Sequence, residues 1–214
     1  MVSTERDEFM DLISVSHETG AKFDRYAVLL AEWNQKFNLV AESTIPHIWK
    51  RHFLDSAQLF KHIPEGAQNI ADMGSGAGFP GLVLSIMGAP KIHLIESTGK
   101  KANFLRAVIE DLKLDAEVHQ ERAESIKNLK ADVITARAMA SLLDLLNLSN
   151  NLRNKHSFCL FPKGQNADAE LTESAKYWRF DHEKIQSISD PSGSVLILKD
   201  IKNAAPRKIK FRKD

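Results

Sequence analysis

The sequence predicts an α/β fold, a parallel sheet covered by helices and preceded by a helical segment, on three observations. Apolar residues recur at helical spacing through the first sixty-odd positions. From residue 69 onward short apolar runs alternate with longer amphipathic segments. Where the first such run ends, glycines alternate over Gly74, Gly76 and Gly78 before a new apolar segment begins.

Taken in order, Phe23, Tyr26, Leu30, Trp33 and Phe37 lie three or four residues apart and form one stripe of a helix. A second helix is predicted over 46–62, with Pro46 at its first position and Ile45, Trp49, Phe53, Ala57 and Phe60 on one side. Pro64-Glu65-Gly66 ends it. Runs at 69–73, 92–95, 116–119, 132–136 and 158–161 read as buried parallel strands. Segments 98–112 and 141–152 are long enough for right-handed crossover helices. Two later runs, 185–188 and 195–198, flank Asp190-Pro191-Ser192-Gly193 and predict an antiparallel hairpin. The expected division is a helical extension over 1–66, a core over 67–204 and a basic tail over 205–214.

At 214 residues and 43% hydrophobic content, the chain can bury one substantial core. Cys159 is its only cysteine, so an intrachain disulfide and a Cys-rich metal site are excluded and a reducing compartment is favoured. A polar start and the lack of any apolar run near the roughly 18 residues of a span predict a cytoplasmic protein with no membrane association. The formal charge is only +1, but residues 199–214 carry +5 and the remainder −4. A nucleic acid would therefore be held by a local patch, with Arg207, Lys208, Lys210, Arg212 and Lys213 as candidate phosphate contacts.

The glycines carry the chemistry. Glycine reaches backbone conformations closed to other residues and lets a ligand approach the chain, while the following helix start offers unpaired N–H groups. Gly76-Ala77-Gly78-Phe79-Pro80-Gly81 also matches the dinucleotide pattern G-x-G-x-x-G, which keeps an NAD(P)-dependent oxidoreductase open. Asp72, just ahead of the glycines, tips the balance: a carboxylate there suits the ammonium of S-adenosylmethionine and sits awkwardly near a pyrophosphate. Glu96 ends the second strand twenty residues after Gly76, where an acid can accept hydrogen bonds from both ribose hydroxyls of either cofactor. Arg122-Ala123-Glu124 follows the third strand, where an adenine would lie.

With these residues the chain resembles the bacterial small-subunit ribosomal RNA guanine-N7 methyltransferases, the glucose-inhibited division protein B family. The resemblance rests on Trp33-Asn34 with Asn38-Leu39, Arg51-His52-Phe53-Leu54-Asp55-Ser56, Asp72 through Gly81, Glu96-Ser97, Lys100-Lys101, Phe104-Leu105, Arg122-Ala123-Glu124, Ala136-Arg137-Ala138 and Lys163-Gly164. It implies a Rossmann-like methyltransferase fold with a seven-stranded, mostly parallel sheet and a helical N-terminal extension. It further implies transfer of a methyl group from S-adenosylmethionine to a guanosine of 16S ribosomal RNA near the decoding centre. The implied partner is that RNA or the small-subunit precursor, met by a monomer. Cofactor contacts are implied at Gly74, Phe79, Ala123, Glu124 and Arg137. Relatives often finish near Tyr-Pro-Arg, whereas this chain has Ala205-Pro206-Arg207-Lys208.

The residues agree with that chemistry independently. An exocyclic amine acceptor usually calls for an Asn/Asp-Pro-Pro-aromatic turn, and 132–139 has none. Guanine N7 has a free in-plane lone pair and needs no general base. Orientation alone can be worth roughly 7–11 kcal/mol. Arg137, after the fourth strand, is the leading substrate-side candidate, with Lys163 after the fifth. Arg51 and Asp55 could form an i,i+4 ion pair, or His52, Asp55 and Ser56 could face the cofactor pocket as its lid. Lys100 and Lys101 could attract RNA phosphates or simply face water. No His-x-x-x-His pair or carboxylate cluster points to a metal. A non-catalytic RNA-binding assembly factor remains the alternative outside enzymology.

Overall fold

A computed structural model describes residues 4–204, so the basic-tail candidates Arg207, Lys208, Lys210, Arg212 and Lys213 lie outside the described residues. Helix α1 (Glu5–Ile13) starts on a capping box in which the Thr4 hydroxyl and the Asp7 carboxylate satisfy each other's backbone N–H groups. Helix α2 (His17–Phe37) is capped by Ser16 and ends at Asn38 in the left-handed conformation (φ 48°). It buries Phe23, Tyr26 and Leu30 from the stripe seen in the sequence.

The second expected helix is not continuous. A 3-10 segment (Glu42–His47) holds Pro46 in its interior and leads into a π-helical turn (Trp49–Leu54). One turn, α3 (Asp55–Ala57), and a further 3-10 turn (Phe60–His62) complete the run. Apolar spacing reports which side is buried and cannot count the residues in each turn. The widened turn is a frequent companion of functional sites.

The sheet comprises β1 (Asn69–Met73), β2 (Lys91–Ile95), β3 (Ala116–His119), β4 (Ala131–Ala136), β5 (Arg153–Lys163), β6 (Trp178–Gln186) and β7 (Ser194–Asn203). Their spatial order is β3-β2-β1-β4-β5-β7-β6. The first five strands run parallel and β7 is antiparallel to both its neighbours. Strand order reverses between β1 and β4, and in such sheets ligands bind outside the carboxyl ends at that point. Helices α4 (Gly81–Ile86), α5 (Gly99–Leu112), α6 (Leu142–Leu148) and α7 (Ala167–Ser174) lie between the strands in sequence. The hairpin at β6 and β7 begins earlier than its apolar residues suggest, because β6 is an edge strand whose polar residues pair through the backbone.

Alternate residues along the strands feed two cores. Ile70, Leu94, Val133 and Leu160 join Leu82, Phe104 and the extension's Phe9, Phe23, Tyr26, Leu30 and Phe53 on one face. Ala71, Ile95, Ile134, Cys159 and Phe161 join Leu142, Leu146 and Leu171 on the other. Aromatic contacts such as Tyr26–Phe79 at 5.6 Å and Trp33–Phe104 at 5.5 Å bind the extension to the first core, so it packs as part of that face. Among the described residues no helix is long and apolar enough to cross a membrane.

Candidate functional site

Between β1 and α4 the chain turns through Gly74 (φ 63°) and Gly76 (φ 58°), backbone angles that favour glycine. Ser75 sets the turn from inside. Its N–H donates to the Ile95 carbonyl at 3.1 Å, and its own carbonyl accepts from the N–H groups of Gly78 and Phe79. From the other side the Tyr26 hydroxyl, buried in the extension, donates to the Ala77 carbonyl. A Cβ at Gly76 would meet only the Gly74 carbonyl oxygen at 3.7 Å, so the loop leaves room against its backbone, while one at Gly74 would press on Met139 Sδ at 2.9 Å.

Asp72 is fully buried beneath this loop. Its carboxylate accepts from the Gly81 N–H at 3.1 Å and the Thr135 hydroxyl at 2.9 Å, joining β1, the start of α4 and β4. Burial raises its pKa from 3.8 to about 6, against the pull of those hydrogen bonds. The structure thus places Asp72 as a brace beneath the loop, with both oxygens on protein donors. Asp72→Ala should cost roughly 2–5 kcal/mol, since two sealed donors lose their acceptor. Asp72→Asn keeps one acceptor, and its amide can donate to a reoriented Thr135 hydroxyl, so its loss should be smaller. Because the folded pKa lies above the unfolded one, the carboxyl's favourable contribution is full below pH 3.8 and fades as pH rises through about 6. Urea unfolding across that window should show this slope in the wild type and not in Asp72→Asn; an equal loss for both variants would contradict the brace.

Glu96 stands at the rim. One oxygen accepts from the Gly76 N–H at 3.0 Å and the other from the Thr98 N–H at 2.7 Å. It therefore ties the glycine loop to the start of α5, and each carboxylate oxygen keeps a second lone pair for a ligand hydroxyl. The neighbouring turn after β3 carries Ala123, buried, and Glu124, exposed beside Arg122 at 4.0 Å.

Across the switch point, Arg137 gathers the residues predicted from the extension. Its guanidinium donates to the Arg51 carbonyl at 3.0 Å, the Asp55 carboxylate at 3.2 Å and His52 Nδ1 at 2.8 Å. It also lies 4.8 Å over the Phe79 ring, on which His52 stacks at 4.8 Å. Since arginine only donates, His52 Nδ1 accepts, and Nε2–H donates to the Thr44 hydroxyl at 2.8 Å. Burial, then the charges of Arg137 and Arg51, lower the His52 pKa from 6.5 to about 3. Asp55 pairs with Arg137 and Ser189, not with Arg51. Ser56 is fully buried, and its Oγ has no hydrogen-bond partner among the described residues.

Beside this cluster opens a cavity of about 650 Å³ lined by Lys50, Arg51, His52, Arg137, Ser189 and Asp190, among others. Lys163 lines a smaller cavity with Asp55 and Arg137, but its ammonium is held by the Glu170 carboxylate and the Ala140 carbonyl, both at 2.8 Å, with only 7% of the side chain exposed. Lys100 is exposed with its ammonium 5.6 Å over the Phe37 ring, and Lys101 is half-buried on the same helix. The sequence gives no site role to Tyr26, Thr135 or Ser189. Only Tyr26 left a signal, since a tyrosine in a buried stripe needs a partner for its hydroxyl.

A family model described as rRNA small subunit methyltransferase G matches residues 19–195. A protein of Rhodospirillum centenum named ribosomal RNA small subunit methyltransferase G is 48% identical over 200 residues, covering 94% of this chain and 91% of that one. One of the same name from Paramagnetospirillum magneticum is 45% identical over 195 residues, covering 91% and 95%. Among solved structures, a SAM-dependent methyltransferase from Aquifex aeolicus superimposes with a TM-score of 0.55 at 14% identity, over 73% of this chain and 93% of that one. M. jannaschii TYW2 in complex with AdoMet gives 0.52 at 12% identity, over 70% and 77%. These two likenesses establish the methyltransferase fold.

Proposed function

This chain belongs to the rRNA small subunit methyltransferase G family, and from that premise we propose that it methylates N7 of a guanosine in 16S ribosomal RNA near the decoding centre, using S-adenosylmethionine. The neighbouring methyltransferase solved with AdoMet supports the cofactor, and neither the oxidoreductase nor the non-catalytic alternative has support among the relatives. The cofactor supplies an electrophilic methyl group. For its binding, the glycine turn at Gly74 and Gly76, with open backbone at Gly76, and the Glu96 carboxylate fit the methionine moiety and the ribose hydroxyls, with Ala123 and Glu124 beside the adenine.

The choice of N7 rests on one observation: the polar groups around Arg137 are already committed. His52 has one ring nitrogen accepting from Arg137 and the other donating to Thr44, and Asp55 is held by Arg137 and Ser189. No residue of that cluster stands ready to remove a proton, and N7 carries none. Arg137 therefore acts by position, its planar fork locking the extension against the carboxyl ends of the strands. The adjoining cavity suits a guanosine drawn out of its RNA, with Lys50 and Arg51 near phosphate and Asp190 available to the base's N–H groups. The basic tail and Lys100 and Lys101 would add phosphate contacts. We place the reaction in the cytoplasm and the protein as a monomer.

Mapping N7-methylguanosine in 16S ribosomal RNA from cells with and without this gene tests the assignment; an unchanged pattern would overturn it. The commitment of His52 and Asp55 also has a kinetic consequence. The single-turnover rate at saturating RNA should be nearly flat from mildly acidic to mildly alkaline pH, because His52 stays neutral throughout. A steep rise removed by changing one side chain would show that a base exists.

A further inference from the structure

On the sheet face opposite the extension's core, β2 and β3 bring together three side chains that the methyl-transfer site does not use. His93 lies opposite Glu117 in the parallel register, and His119 follows Glu117 by two residues, so all three project from one face. Their donor atoms fall within 4.8 Å of one another. His93 Nδ1 is 3.0 Å from His119 Nε2 and 3.9 Å from a Glu117 oxygen. The strand spacing explains why sequence alone shows nothing: the expectation of no metal rests on the lack of a His-x-x-x-His pair or a carboxylate cluster, whereas this grouping is made across two strands.

From these positions we infer a divalent transition-metal site, of the Zn²⁺ class, formed by His93, Glu117 and His119. Two imidazoles and one carboxylate form a donor set that suits Zn²⁺ and its neighbours and disfavours Mg²⁺ or Ca²⁺. Metal–ligand bonds of about 2.0–2.2 Å in tetrahedral geometry separate donors by roughly 3.3 Å, so the histidines need only part slightly and Glu117 close in. His93 is already prepared. It is buried, its Nε2 is 3.4 Å from the Asn69 side-chain oxygen, and a proton placed there leaves Nδ1 as a bare lone pair facing the other donors. An outer hydrogen bond of this kind commonly orients a metal-binding imidazole.

Glu117 is shared with Lys91 at 3.0 Å, and its half-exposed side chain opens the site to solvent. Three protein donors leave a fourth position for water. Bound metal would fasten β2 to the edge strand β3. The His119 carbonyl accepts from the Glu96 N–H at 3.1 Å, so the fastening lies directly below the ribose-side carboxylate.

The test titrates untagged, full-length protein with Co²⁺, read by visible absorption, and with Zn²⁺, read by calorimetry. One site per chain with a tetrahedral Co²⁺ spectrum is expected. His93→Ala and His119→Ala should weaken binding at least about tenfold. Glu117→Gln, changed on an exposed side chain that leaves the core alone, should weaken it as well, and His156→Ala should not. Thermal melts confirm that each variant folds, and Zn²⁺ should raise the melting temperature of the wild type but not of His119→Ala. Absence of stoichiometric binding, or binding unaltered by His93→Ala and Glu117→Gln, would overturn the site.

Discussion

Glu96→Ala should weaken binding of S-adenosylhomocysteine about a hundredfold. The carboxylate receives two backbone N–H groups, from Gly76 and Thr98, and in the proposed role its remaining lone pairs receive the ribose hydroxyls as well. Hydrogen bonds to a charged group contribute about 1.5–3 kcal/mol each, and 1.4 kcal/mol corresponds to tenfold. The loss combines missing ribose contacts with a glycine loop no longer tied to α5. Glu96→Gln keeps one acceptor oxygen but points an NH₂ at a backbone N–H, so it should recover only part of the affinity. Calorimetry on both variants, with thermal unfolding as a control, separates the contributions. Wild-type affinity in a folded Glu96→Ala protein would remove Glu96 from the cofactor site.

Arg137→Ala should lower the catalytic efficiency of rRNA methylation by at least about a hundredfold, the scale expected when reacting groups lose alignment by an ångström. The guanidinium serves the Arg51 carbonyl, Asp55 and His52 at once while lying over Phe79. Lysine offers a point charge without the planar fork, so Arg137→Lys should fall nearly as far. The Asp55 carboxylate keeps Ser189 and Gln58, which limits the damage to the fold. A positioning role predicts that the loss lies mainly in kcat at saturating RNA, with cooperative unfolding retained. A lysine variant with near-normal turnover would show that charge alone suffices.

Much of the site was visible in the sequence because its parts are local. The glycines, Asp72 and Glu96 stand at the ends of strands whose apolar runs are plain, and a strand end followed by a helix start is a place in the chain as well as in space. Roles were harder to read than positions. Asp72 was expected to face an ammonium, yet its two oxygens bind Gly81 and Thr135, a partnership 63 residues long in sequence for the latter. Lys163, expected on the substrate side, lines a cavity with Arg137 while Glu170 and the Ala140 carbonyl hold its ammonium. A long flexible side chain goes to the nearest carboxylate, and sequence does not say which that will be.

By itself, then, the sequence determined the parallel sheet, its covering helices, the glycine turn and the acidic residue at the end of β2, since periodicity and backbone conformational preference act between near neighbours. Tertiary structure alone decided the rest. It broke the predicted 46–62 helix into 3-10, π and α turns, which brings the Arg51 carbonyl, His52 and Asp55 to Arg137. It lengthened β5 and β6 through backbone pairing that polar side chains conceal. It also set His93 beside Glu117 and His119. Those juxtapositions join residues far apart along the chain, and they follow from strand register and packing, which no local pattern encodes.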